Sequence, residues 1–230
     1  MAKEAADLAA LAGVVASCRA CPRLVEWRER VAREKRASFA AEDYWGRPVP
    51  GFGDPGARVL VVGLAPAAHG GNRTGRIFTG DRSGDFLFAS MYRCGLANQP
   101  ESTGRDDGLA LQGAYVTAAV RCAPPGNKPD PDERDRCHPY LVRELDLLTG
   151  VRVIVSLGSF AWGSVVRAHL TRGGDPVRPT PRFGHAATVD LGTLTVIGCY
   201  HPSQQNTFTG KLTESMMDDV FTLARRIAEI

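Results

Sequence analysis

The chain has 230 residues, of which 43% are hydrophobic and 23% charged, with a formal net charge of +3. That profile belongs to a folded globular protein and excludes a disordered one. The small positive excess permits a nucleic-acid partner without arguing for one, and no stretch reaches the roughly 18 apolar residues of a membrane helix, so no membrane partner is expected.

The first residues, MAKEAADLAALAGVVASC, carry Glu4 and Asp7 among alanines. They read as a short amphipathic helix and not as a signal peptide. An intracellular, cytoplasmic protein is the expectation, and disulfides are rare there. The six cysteines therefore need another explanation. Residues 38–57 read as a surface loop. RVLVVGL (58–64) is the first of four short apolar runs; the others are AYVTAAV (114–120), VRVIVSLG (151–158) and LTVIGCY (194–200). None alternates with polar residues, as expected of strands buried on both faces.

Helical patterns separate these runs. SGDFLFASMYRCGL (83–96) has a Ser-Gly start and a Gly stop. PDERDRCHPYLVRELDLL (131–148) opens with Pro and acids, and Pro139 is expected to bend it or end its first part. SFAWGSVVRAHL (159–170) has Ser159 as its expected N-cap. Residues 171–186 read as a second long loop. In the last segment Met217, Val220, Phe221, Ala224 and Ile227 make one apolar stripe at helical spacing. Alternating strands and helices predict an α/β fold, a three-layer α/β/α sandwich with a central four-stranded parallel sheet, in one domain spanning 1–230.

Ligands bind outside the carboxyl ends of strands in such sheets, and three unusual segments follow strands here. The first, GLAPAAHGGNRTGRIFTGD (63–81), holds small residues and glycines that allow close backbone approach, namely Gly70, Gly71 and Gly75. Arg73 and Arg76 are suited to phosphate, Phe78 to stacking on a base, and Asp81 is the first carboxylate after the strand, suited also to capping the next helix. The second, RCAPPGNKP (121–129), offers Asn127, whose amide can read a base edge or simply make a turn. The third, HPSQQNTFTGKLT (201–213), sets His201 at a strand end, where it can stabilise an oxyanion. Ser203 can donate to phosphate, and Gln204, Gln205, Asn206 and Thr207 make a polar tip.

Cys18 and Cys21 form C-x2-C, and Cys122 and Cys137 form C-x14-C. Four such thiols suit zinc or an iron–sulfur cluster, and spacing alone leaves the choice near even. Cys94 and Cys199 sit among apolar neighbours and read as core. His69 and His138 are further possible ligands, while His169 and His185 read as ordinary surface histidines.

Taken together, these segments resemble the uracil-DNA glycosylase superfamily, most closely its family 5. The resemblance rests on the 63–81 and 201–213 motifs, the 121–129 segment and the four cysteines, and it runs from about Cys18 to the last helix. It implies a [4Fe–4S] cluster on Cys18, Cys21, Cys122 and Cys137. It also implies hydrolysis of the N-glycosidic bond of uracil in DNA, with tolerance of other deaminated bases such as hypoxanthine and no strand cleavage. His201 would bond the departing base, Asp81 would order the water, and Asn127 and Phe78 would meet the base. Gly63, Ala65, Pro66 and Ala67 would wall the site, with Ser203, Gln205 and Asn206 toward the DNA. Other members of the superfamily carry an Asp, Asn or Glu in the first motif, where this chain has Leu64, Ala65, Ala67 and Ala68. The expected partner is damaged DNA, single- or double-stranded, met by a nucleoid-associated monomer. The competing reading is a metal-stabilised nucleic-acid-binding scaffold without turnover.

Overall fold

The computed structural model describes residues 2–230. Among these residues six strands form one sheet: β1 (Phe52–Gly53), β2 (Val59–Gly63), β3 (Ala114–Ala118), β4 (Val153–Leu157), β5 (Thr188–Asp190) and β6 (Thr195–Cys199). Their spatial order is β1-β3-β2-β4-β6-β5. The four apolar runs supply the central strands, all parallel, with Val59 opposite Ala114 on one side and Val153 on the other. The expected four-stranded sheet is thus extended at both edges by antiparallel strands. β1 lies inside the stretch read as a loop, and at two residues it is too short to carry a pattern. β5 is exposed on alternate positions and does not read as buried.

Among the described residues, eight α-helical segments surround the sheet: α1 (Leu8–Ala16), α2 (Pro22–Glu34), α3 (Gly71–Thr74), α4 (Arg82–Arg93), α5 (Pro131–Leu147), α6 (Ser159–Thr171), α7 (Gln204–Phe208) and α8 (Glu214–Ala228). Side chains alternate across a strand. Val59 and Val61 accordingly face one core with Leu87, Phe88 and Met91 of α4 and Met217, Val220 and Phe221 of α8. Leu60 and Val62 face a second core with Leu141 and Leu145 of α5 and Ala161, Trp162 and Val165 of α6. The result is the expected three layers. The stripe on α8 packs in the first core, with Ile227 at its margin.

Two helix expectations are corrected. The residue that starts α6 is Gly158, at φ 93, and Ser159 is already helical with no capping bond. The chain leaves β4 through a left-handed turn that glycine makes at little cost. Pro139 does not end the helix in which it lies, because α5 runs unbroken across it. Pro139 is exposed, and so is Asp135, whose carbonyl loses its helical donor to the proline ring; water can bond that carbonyl on the outer face.

Candidate active site

β3 lies on one side of β2 and β4 on the other, so the chains leaving β2 and β4 diverge at a topological switch, where α/β sheets open a crevice. A cavity of about 540 Å³ sits there, lined by Leu64, Ala65, Ala67, Phe78, Asp81, Arg82, Ser83, Asn127, His201, Ser203, Gln204 and Gln205. That size falls within the roughly 300–1,000 Å³ of small-molecule sites. All three post-strand segments contribute.

His201 follows β6, and its Cβ lies 3.6 Å from the position a Cβ would take on Gly158, so it stands beside the end of β4. Its carbonyl accepts from Asn206 Nδ2 at 2.8 Å, which ties the strand end to α7. The ring sits 5.9 Å from that of Phe78. Burial pushes the imidazole down to about 4, so near pH 7 it is a neutral ring that can donate through one N–H.

Asp81 is the N-cap of α4. Its Oδ1 accepts from the backbone N–H of Ser83 at 2.9 Å and of Gly84 at 3.0 Å. The second oxygen is turned toward Gly70, where any Cβ would overlap it. Burial raises the carboxyl above its usual range, opposed by the two backbone N–H groups. One oxygen therefore caps α4 and the other faces Gly70.

Phe78 lies over Gly63, whose Cβ would come within 2.6 Å of the ring. Phe78 and Asn127 hold φ of 52° and 57°. Two of the five described non-glycine residues in this left-handed region thus line one cleft. For an aromatic residue that conformation costs about 1–3 kcal/mol and persists only where the surroundings enforce it. The Asn127 side chain is exposed at the rim and makes no protein hydrogen bond.

Other expected residues stand elsewhere. Gly63 lies behind the Phe78 ring, Pro66 packs on Gly71, and Asn206 braces His201 from outside the cleft. Ser203 lines the cleft, but its oxygen caps α7 by accepting from Asn206 N at 3.4 Å, leaving its hydroxyl hydrogen to donate. Arg73 and Arg76 are not phosphate ligands: both are buried, Arg73 paired with Glu42 and Arg76 with Asp107 at 2.5 Å. The glycines make room for protein and not for ligand, Gly70 for Asp81, Gly71 for Pro66 and Gly75 for Trp45 and Arg105. Arg82 and Ser83, absent from the expected set, line the cleft because Asp81 begins a helix there. His69 bonds the Tyr44 hydroxyl at 3.0 Å and His138 that of Thr171 at 3.0 Å, so neither joins the cysteines. His185 is no plain surface residue; its ring lies 5.0 Å from Tyr200 and accepts from that residue's backbone N–H at 3.3 Å.

The four cysteines meet. Cys18, Cys21, Cys122 and Cys137 wall one small closed pocket with Arg28, Arg121 and Tyr140. As they stand, no three or more Cys, His, Asp or Glu side chains among the described residues are grouped to clasp a single ion. Arg28 is buried, donates to Cys122 Sγ at 2.9 Å and to the Cys18 carbonyl at 3.2 Å, and leaves Nε without a partner. A guanidinium sunk among thiols fits a group that turns those thiols into thiolates. Burial otherwise pushes Cys122 to about 11 and Cys137 to about 12. Cys94 and Cys199 are buried in the first core. Beside the pocket Arg121 is fully buried against Glu144, with Nη2 to Oε2 at 2.5 Å, which pins the chain leaving β3 to α5.

Residues 50–225 match the model of the uracil DNA glycosylase superfamily. A type-5 uracil-DNA glycosylase of Mycobacterium tuberculosis is 52% identical over 232 residues, covering all of this chain and 85% of that protein. One from Mycobacterium leprae is 53% identical over 94% of this chain and 93% of its own length. One from Thermus thermophilus is 50% identical, over 96% of this chain and 99% of its own length.

Proposed function

The chain belongs to the uracil DNA glycosylase superfamily and hydrolyses the N-glycosidic bond of uracil in DNA; on that premise we propose how its cleft divides the work. Supporting the assignment is one observation, the convergence of His201, Asp81, Phe78 and Asn127 on a single cavity.

A base inside a duplex is out of reach, so the target nucleotide is extruded into the cleft. Phe78 offers its flat face, and the free amide of Asn127 supplies donor and acceptor to the base edge. As the glycosidic bond breaks, negative charge moves to the leaving base and positive charge to the sugar. His201, neutral and half-buried, donates a hydrogen bond to the base oxygen that takes up the charge. A preorganised donor of this kind is worth about 3–4 kcal/mol in the transition state. Asp81 Oδ2, the oxygen not used in capping, orders the attacking water. The hydroxyl of Ser203 and the amide of Gln205 face the DNA backbone. Ala65 and Ala67 leave the wall low, which supports acceptance of a larger deaminated base such as hypoxanthine.

Cys18, Cys21, Cys122 and Cys137 would hold a [4Fe–4S] cluster. Its contribution is to tie distant segments together, since the hydrolysis transfers no electron. The chain would act in the cytoplasm as a monomer on nucleoid DNA, double- or single-stranded. No described helix is long and apolar enough to cross a membrane.

Incubation with oligonucleotides carrying one uracil or one hypoxanthine, followed by alkaline cleavage, tests the reading. Breakage at uracil, with slower breakage at hypoxanthine, is expected. Uracil duplex that is bound tightly yet left whole would overturn it in favour of the non-turnover scaffold.

A further inference from the structure

A second cleft, of about 330 Å³, opens beside the first and shares Arg82 with it. Phe208 on α7 forms one wall and is 67% exposed, more than the exposed Tyr92, Leu170 or Ile230. Covering a ring left that open removes apolar area from water, which is favourable. The Arg82 guanidinium lies 5.1 Å from the centre of the same ring.

The charges around this cleft are unequal in availability. Arg93 is taken up by Asp218 at 2.7 Å and Glu214 at 3.4 Å. Among the described residues Arg82 makes no ion pair like those of Arg93, although its charge acts on Asp85 one turn along α4. Asp85, which feels the Arg82 charge, and Glu214 also border the cleft, so its interior disfavours phosphate. A polyanion crossing here is therefore held at Arg82, and what enters the cleft is a flat uncharged group.

We infer that the second cleft takes the base adjoining the extruded nucleotide on the same strand. Phe208 stacks on that base, and Arg82 holds the phosphate between the two nucleotides. The inference rests on the first cleft being the site of the extruded nucleotide. Arg82 borders both cavities, so its position matches a phosphate that links one occupant to the other. Stacking needs only a π-face, so the contact is tolerant of sequence.

A cycle of substitutions in protein and DNA tests this. Phe208→Ala should lower kcat/KM on a uracil oligonucleotide about ten-fold, the scale of one base–aromatic stack. In the unaltered protein, replacing the adjoining base on one side of the uracil by an abasic sugar should cost a similar factor, and on the other side little. The two changes together should cost no more than either alone, and Phe208→Trp should restore the rate. Arg82→Gln should reduce the slope of log affinity against log salt by about one. Unchanged kcat/KM in Phe208→Ala, or losses that simply multiply at both neighbours, would overturn the inference. Running the same cycle as affinity for an uncleavable uracil analogue separates the two readings. If excision is absent while the cycle still couples, the glycosylase assignment fails and the stacking cleft stands.

Discussion

His201 can serve as an uncharged donor only where its ring has lost its proton, and burial provides that by holding it at about 4. Between about pH 5 and 8 the rate should therefore show no step from histidine titration near its usual 6.5. The same depression sets a stability signature. The unfolded chain binds a proton at this residue below about 6.5 and the folded one only near 4, so its contribution is full above 6.5 and is lost as pH falls toward 4. Thermal melts of His201→Gln should be flatter across that window than those of the unaltered protein. Asp81 is shifted the other way, upward by burial. Water-ordering needs the ionised form, so the acid limb of the rate should lie above the ordinary carboxylate range near 3.9. Asparagine caps a helix as well as aspartate does. Asp81→Asn should accordingly keep its melting temperature while losing both rate and that acid limb; an unchanged pH–rate profile would remove Asp81 from the chemistry.

At the level of elements, the loop from β2 to α4 is shaped by close approaches within the protein. Gly70 lies against Asp81 Oδ2 and Gly63 lies under Phe78. Gly70→Ala should push the Asp81 carboxylate off its position and lower kcat at least ten-fold, and it should also lower the melting temperature, because the same carboxylate caps α4; a fully active, folded Gly70→Ala would mean that this oxygen has no role. The central strands and the three converging segments were legible because unbroken apolar runs mark strands buried on both faces, and such strands aim their carboxyl ends at one place. The edge strands were not, since two or three residues carry no period. Arg73 and Arg76 read as phosphate ligands because a charged residue in a glycine loop gives no local sign of its partner; Glu42 and Asp107 lie 31 residues away in each case. The Ser159 cap failed for a simpler reason, as the positive φ of Gly158 takes the chain into the helix one residue early. Arg82 and Phe208 escaped notice because exposure decides their role, and exposure at a helix end has no pattern in sequence.

Across the whole molecule, the four-cysteine pocket joins the chain between α1 and α2 to the segment that leaves β3 and to α5. A cluster held there would close a loop of about a hundred residues, which by the disulfide analogy would favour the folded state by about 5 kcal/mol. On the usual scale that is about 10–20 °C in melting temperature for a chain of this length. Anaerobic protein should contain about four irons and four sulfides per chain, and Cys122→Ala should lose them together with that thermal margin. Stoichiometric zinc with no iron would contradict the cluster and leave the tie itself intact. The cleft would depend on the same tie, because Asn127 stands on the segment between Cys122 and Cys137. The central claim, that His201 stabilises the departing base, is tested most directly by the single-turnover rate of uracil release in His201→Ala beside the unaltered protein. The account predicts a loss of about 10²–10³ with folding and iron content preserved; release at an undiminished rate would contradict it.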